Sequence, residues 1–153
     1  MKILQPPGWS RPKGYANGIA ARGTVVFVAG QVGWDESQTF RSDDLVEQLE
    51  RALGNTLTIL GEAGAGPEHV ARMTWYVVSC EEYLDRVREI GAAWHRRMGS
   101  HYPAMSVVQV AALLESRARV EIETTAIVPD IHGRNRRDCE GARMTKHQES
   151  ESP

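Results

Sequence analysis

The run Arg119-Val120-Glu121-Ile122-Glu123-Thr124-Thr125-Ala126-Ile127-Val128 alternates between two side-chain sets, and this constrains the fold more than any other stretch. Successive side chains of a strand point to opposite faces, so Val120, Ile122, Thr124, Ala126 and Val128 share one face. Arg119, Glu121, Glu123, Thr125 and Ile127 share the other. Such a strand asks for cover on its first face only. A second β-branched run, His101 to Val110, precedes it across the polar turn Leu114-Glu115-Ser116-Arg117, and the pair reads as a hairpin of edge-to-centre strands.

The covering layer is legible upstream. Leu45, Leu49, Ala52, Leu53, Thr56 and Leu60 recur at helical spacing. Ser42 is available as a cap, Asp43 and Asp44 suit the positive dipole end, and Gly61 and Gly64 are available as stops. Ser79-Cys80-Glu81-Glu82 has the form of a capping box and opens one further helix. Tyr83, Val87, Ile90, Trp94 and Met98 lie on one face of that helix, and Arg96 and Arg97 suit its negative end. Between the helices, Arg72 to Val78 reads as a buried strand. Gly18 to Ala21 and Thr24 to Gly30 read as two short strands about Arg22-Gly23. Residues 1–14, rich in proline and glycine, form an extended arm and not an element.

The order is two strands, helix, strand, helix, two strands, which predicts an α+β layer with both helices on one face of a mixed sheet. The run from Thr24 departs from simple alternation. Val25, Phe27 and Ala29 point one way and Val26 and Val28 the other, and both sets are apolar. A sheet with helices on one face should not be apolar on both unless a second copy covers the other, so homo-oligomerisation through the open face is expected. One domain is expected over residues 1–128, with a polar, non-periodic tail over 129–153 that is disordered or loosely attached.

Composition narrows the function classes. The 153 residues are 41% hydrophobic and 25% charged with a net charge of -2, which makes no electrostatic case for nucleic acid or a membrane surface. No apolar run approaches the ~20 residues that span a bilayer, and a cytoplasmic protein is expected. Cys80 and Cys139 lie too far apart in the chain to argue a disulfide framework or a zinc site. His69, His95, His101, His132 and His147 lack metal-ligand spacing, and no glycine loop resembles a phosphate cradle. Neither metal nor cofactor is expected.

Five landmarks, in this order and spacing, carry a resemblance. They are Gly14-Tyr15-Ala16-Asn17-Gly18, Phe27-Val28-Ala29-Gly30-Gln31-Val32, Leu60-Gly61-Glu62-Ala63-Gly64-Ala65-Gly66, Tyr102-Pro103-Ala104 and Val120-Glu121-Ile122-Glu123. From about Pro12 to Val128 the chain resembles the RidA/YjgF family of small imine and enamine deaminases. The resemblance implies a chorismate-mutase-like fold assembled as a homotrimeric barrel, with small-molecule clefts between neighbouring subunits. It also implies a site. Deaminating members hold the carboxylate of a 2-imino acid on an arginine, while a glutamate and a backbone carbonyl direct water, releasing ammonia. Carried onto this chain, the arginine falls on Met105 and the glutamate on Glu121. The early tyrosine falls on Tyr15, the small residue and glycine of the second strand on Ala29 and Gly30, a common cysteine on Val107 and a common helix asparagine on Arg88.

Met105 is the departure that matters. A thioether cannot replace the two charge-assisted hydrogen bonds of a guanidinium. Losing one partner of a buried charged pair costs ~2–5 kcal/mol, so activity on 2-iminopropanoate is expected to be reduced or missing. Arg88 and Arg119 are candidate replacement cations; helix pairing with neighbouring carboxylates is the plainer reading of Arg88. Trp34 could wall the cleft with Tyr15 or serve the core, and Gln109 and His101 read as a polar strand residue and a loop residue. Three functions remain open: a divergent imine or enamine deaminase, a non-catalytic metabolite-binding or regulatory trimer, and a ribonuclease. The charge balance disfavours the ribonuclease.

Overall fold

The computed structural model describes residues 1–130. The expectation for the polar tail, with Cys139, His132 and His147, lies outside them apart from Pro129 and Asp130. A four-stranded sheet is built from β3 (Thr24–Val32), β4 (Val70–Val77), β5 (Ala104–Gln109) and β6 (Val120–Val128), in the order β3-β6-β4-β5. Helices α1 (Leu45–Glu62), α2 (Cys80–Asp85) and α3 (Val87–Met98) complete the α+β layer. No helix among the described residues is long and apolar enough to cross a membrane.

The hairpin expected between the last two strands does not form. Within the sheet β5 pairs with β4, in parallel, Met73 opposite Met105 and Trp75 opposite Val107. β6 inserts between β3 and β4, antiparallel to both. The physical reason is the intervening helix: a strand that returns through a helical crossover comes back parallel to the one it left. The stretch after Gln109 then carries the chain past β4 to the vacant position beside β3.

The packed face is the one read from periodicity. Val120, Ile122, Thr124 and Ala126 are buried together with Met73, Trp75 and Val77 of β4, and against them lie Leu45, Leu49, Ala52, Leu53, Thr56 and Leu60 of α1. The cap of α1 is Asp44 and not Ser42. Its Oδ1 accepts from the Val46 and Glu47 amides at 2.9 and 3.0 Å, while the Ser42 hydroxyl accepts from the Asp44 amide. At the other end, Gly64 adopts φ +65 and the Ala65 amide reaches back to the Leu60 carbonyl at 3.0 Å, so the stop needs a left-handed residue. Gln48 is a buried polar residue that periodicity did not single out. Its amide donates to the Ser42 and Arg117 carbonyls and its Oε1 accepts from the Arg119 amide, which fastens the entry of β6 to α1.

The expected single second helix is divided. Arg86 leaves helical geometry with φ -109 and ψ 13, separating α2 from α3. Its guanidinium grips Glu89 with two 2.6 Å bonds and reaches Asp44 at 2.9 Å, which ties the break to the cap of α1. The capping box is half formed: Ser79 accepts from the Glu82 amide, but the Glu82 carboxylate turns to Arg119. Arg96 and Arg97 both pair with Glu50 of α1. The amino-terminal arm also holds an element: β1 (Lys2–Ile3) pairs antiparallel with β2 (Ile19–Ala20), and the Leu4 amide bonds the Gly18 carbonyl, so its backbone groups find partners.

Among the described residues, nothing covers the opposite face of the sheet. Phe27 is 78% exposed, and Val25 and Val108 are also exposed.

Candidate functional site

The polar centre of the open face is Glu121. It stands opposite Tyr76 of β4, one alternation from Glu123, beside an irregularity in β3 between Val28 and Gln31. The extra residue there bulges the edge strand at Ala29 and Gly30, and the Ala29 and Gly30 carbonyls accept from the Gln31 side-chain amide at 3.1 and 3.3 Å. A Cβ on Gly30 would lie 1.8 Å from Glu121 Oε1. Only a residue without a side chain leaves the carboxylate its place, which is a steric reason for glycine at this position.

Glu121, Gly30, Tyr76, Leu113 and Glu123 line a depression of about 350 Å³. The Tyr76 hydroxyl donates to Glu123 Oε2 at 3.2 Å. Partial burial first, and then the charge of Glu123, push that hydroxyl above its ordinary pKa, so it stays a proton donor at neutral pH. The arrangement offers a carboxylate able to accept a proton from water, with a fixed neutral donor close by. Tyr76 and Glu123 were missed in the sequence as site residues. Glu123 carried a signal, the shared outward face with Glu121; Tyr76 sits in a run that read as wholly buried, although Arg72 and Tyr76 face outward there.

The remaining candidates lie elsewhere. Met105 and Val107 pair with buried Met73 and Trp75, so they point to the helix side of the sheet and pack half-buried against the core. They sit on β5, the edge farthest from β3. Tyr15 is beside them in space: the neighbouring Ala16 bridges Ala104, and its amide donates to the Pro103 carbonyl at 2.8 Å. Ala29 is exposed at the β3 bulge. One copy therefore presents Ala29, Gly30 and Glu121 towards one edge and Tyr15, Met105 and Val107 at the other.

Neither replacement cation reaches Glu121. Arg88 is exposed on α3, in the layer behind the sheet, and it makes no ion pair among the described residues; its neighbour Arg86 takes the carboxylates instead. Arg119 is bonded to Glu82 of α2. Trp34 takes the core role, packing against Phe40 at 5.9 Å in a small cluster with Val32, Ala118 and Leu113. Gln109 Oε1 accepts from the Cys80 amide at 2.8 Å, which fastens the start of α2 to the end of β5. Among the described residues, no three histidine, cysteine or acidic side chains converge to hold a metal ion.

The sequence pattern of the family described as endoribonuclease L-PSP matches residues 10–128. A RutC family protein of Synechocystis, slr0709, is 33% identical over 137 residues, covering 84% of this chain and 98% of its own. Among solved structures, the Rid-family protein YyfB of Yersinia pestis superposes with a TM-score of 0.72 at 28% identity, covering 83% of this chain and 98% of its own. TdcF of E. coli, solved with bound serine, gives 0.59 at 26% identity, with 84% and 99% covered. By pattern, sequence and fold together, the chain belongs to the RidA/YjgF family.

Proposed function

We propose that the protein is a homotrimer that hydrolyses an imine or enamine in clefts between its copies, with a substrate less anionic or bulkier than 2-iminopropanoate. The observation that carries this reading is the Glu121 carboxylate seated against the bare Cα of Gly30. Glu121 would take a proton from water as the oxygen attacks the C=N carbon and pass it to the nitrogen; it would then carry the second proton from the new hydroxyl to the nitrogen as the C=O bond forms, the C–N bond breaks and ammonia leaves. Two features support assembly. The open face exposes Val25, Phe27 and Val108, and the two groups of site residues lie towards opposite edge strands. Closing copies edge to edge would set Gly30 and Glu121 of one copy near Tyr15, Met105 and Val107 of the next.

Met105 favours a second reading, in which the same cleft binds a metabolite without turning it over. Ammonia release from a series of imines and enamines with varied side chains separates the two. The catalytic reading expects turnover above the uncatalysed rate, lost on Glu121→Ala by about a hundredfold or more, as for a general base. An unchanged rate in that variant removes Glu121 from the chemistry. Met105→Arg tests the clamp: it should raise the rate on 2-iminopropanoate at least about tenfold. RNA cleavage finds no support in a depression that carries two carboxylates.

A further inference from the structure

A second cavity lies under the amino-terminal arm, at the other end of the sheet. It is a half-open cavity of about 570 Å³ that shares no lining residue with the Glu121 depression. His101, on its wall, bonds the Val70 carbonyl at the start of β4, whereas Glu121 stands opposite Tyr76. At the rise of a strand these levels are roughly 20 Å apart.

The polar groups of this cavity sort by what already occupies them. Gln5 donates its amide to the Trp9 carbonyl and accepts from Asn17. His101 Nε2 donates to the Val70 carbonyl at 2.7 Å. The Tyr102 hydroxyl lies 3.2 Å from His95 Nε2, and His95 Nδ1 donates to the Gly99 carbonyl at 2.9 Å. Tyr102 also stacks on Trp94 at 5.8 Å with an interplanar angle of 8°, so it is a rigid wall whose hydroxyl already has a partner.

Three polar groups remain without a partner among the described residues: the Arg11 guanidinium, the Tyr15 hydroxyl and the Ser100 hydroxyl. All three can donate, one bears a fixed positive charge, and no carboxylate among the described residues lines the cavity. The rest of the wall is apolar, from Ile3, Pro12, Ala16 and the two tyrosine rings. A largely apolar chamber of this size with a few donors around one cation matches an amphiphilic anion.

We infer that this cavity is a second ligand site, in which Arg11 binds the carboxylate of an apolar monoanion whose hydrocarbon body lies against Tyr15 and Tyr102. The site borders the proposed deaminase cleft at Tyr15 but goes beyond that reading, because its cation is Arg11 and it uses neither Glu121 nor Met105. It also places an anion-binding guanidinium elsewhere in a chain that has methionine at the family's arginine position.

The test is a calorimetric titration of the full chain with 4-phenylbutanoate and with the uncharged 4-phenylbutanamide, paired with amide NMR shifts. The carboxylate should bind about tenfold more tightly than the amide, the increment expected of one charge-assisted contact at a partly exposed site. Shifts should centre on Ser100, His101 and Tyr102. Arg11 is exposed and unpartnered, so Arg11→Met folds normally, and in it the two probes should bind alike; Arg11→Lys should keep part of the difference. Glu121→Ala should bind the carboxylate like the wild type, so failure of this site and failure of the deaminase reading are distinguishable. Equal affinity for the two probes in the wild type, an unaltered preference in Arg11→Met, shifts centred on Glu121, or no binding of either probe would each overturn the assignment.

Discussion

The two faces of the sheet are made from the same strands and do opposite work. On the helix side, Met73, Trp75, Val120, Ile122 and Ala126 are sealed by α1 and α3, and the buried Gln48 of α1 is bonded through both its amide nitrogen and its oxygen. On the open side, the intervening residues of the same strands place Tyr76, Glu121 and Glu123 beside exposed Val25, Phe27 and Val108. One residue of register separates a side chain packed in the core from one on the open face. The first face is closed by the chain's own helices; no described residue covers the second.

Substitutions should separate the faces by what they disturb. Ile122→Ala removes a fully buried side chain and should destabilise the fold by about 2–5 kcal/mol in urea unfolding. A loss under ~1 kcal/mol would mean that the helix side is not the packed one. Phe27→Asp, one strand away on the open face, should leave the unfolding of a single copy nearly unchanged while weakening association by about 1.5–3 kcal/mol per copy. Sedimentation velocity would show the shift to monomer; an unshifted boundary would remove the open face from the interface.

The smallest effect belongs to neither face but to the loop after β3, and it depends on pH. Asp35 is buried and accepts from the Ser37 hydroxyl, the Ser37 and Thr39 amides and Arg41 Nε. The Ser37 hydroxyl first, then the Thr39 amide and the Arg41 guanidinium, hold its carboxyl far below the usual carboxylate range. A depressed folded-state value stabilises above the unfolded value of about 3.9 and is withdrawn as pH falls below it. Asp35→Asn should therefore unfold earlier than the wild type at pH 7, with the gap narrowing towards pH 3. A gap that widens on acidification would reverse the sign.

Legibility in the sequence follows the same division. Leu45 to Leu60 and Val120 to Val128 carry their periods openly, because one face of each is covered by the chain itself. Strand order was not legible: the nearness of β5 and β6 in sequence suggested a hairpin, while the α3 crossover decides that β5 lies parallel to β4. Ser42 and Asp44 are both good caps, and only the start of the helix chooses between them. The break at Arg86 involves neither proline nor glycine and left no mark in the pattern. For the site, alternation puts Met105 and Val107 on one face, but which face depends on their partners in β4. The meeting of Gly30 with Glu121 depends on a bulge that no composition rule foretells.

That bulge also bears on how copies can accumulate. A long, flat rim of unpaired amides and carbonyls invites neighbours to stack on it indefinitely, as fibrils do. The register shift at Ala29 and Gly30 interrupts the ladder of the β3 rim, and a bulge of this kind bends and twists the strand that carries it, so a molecule docking there would meet a curved template. Curvature of this kind favours a small closed ring over an endless filament.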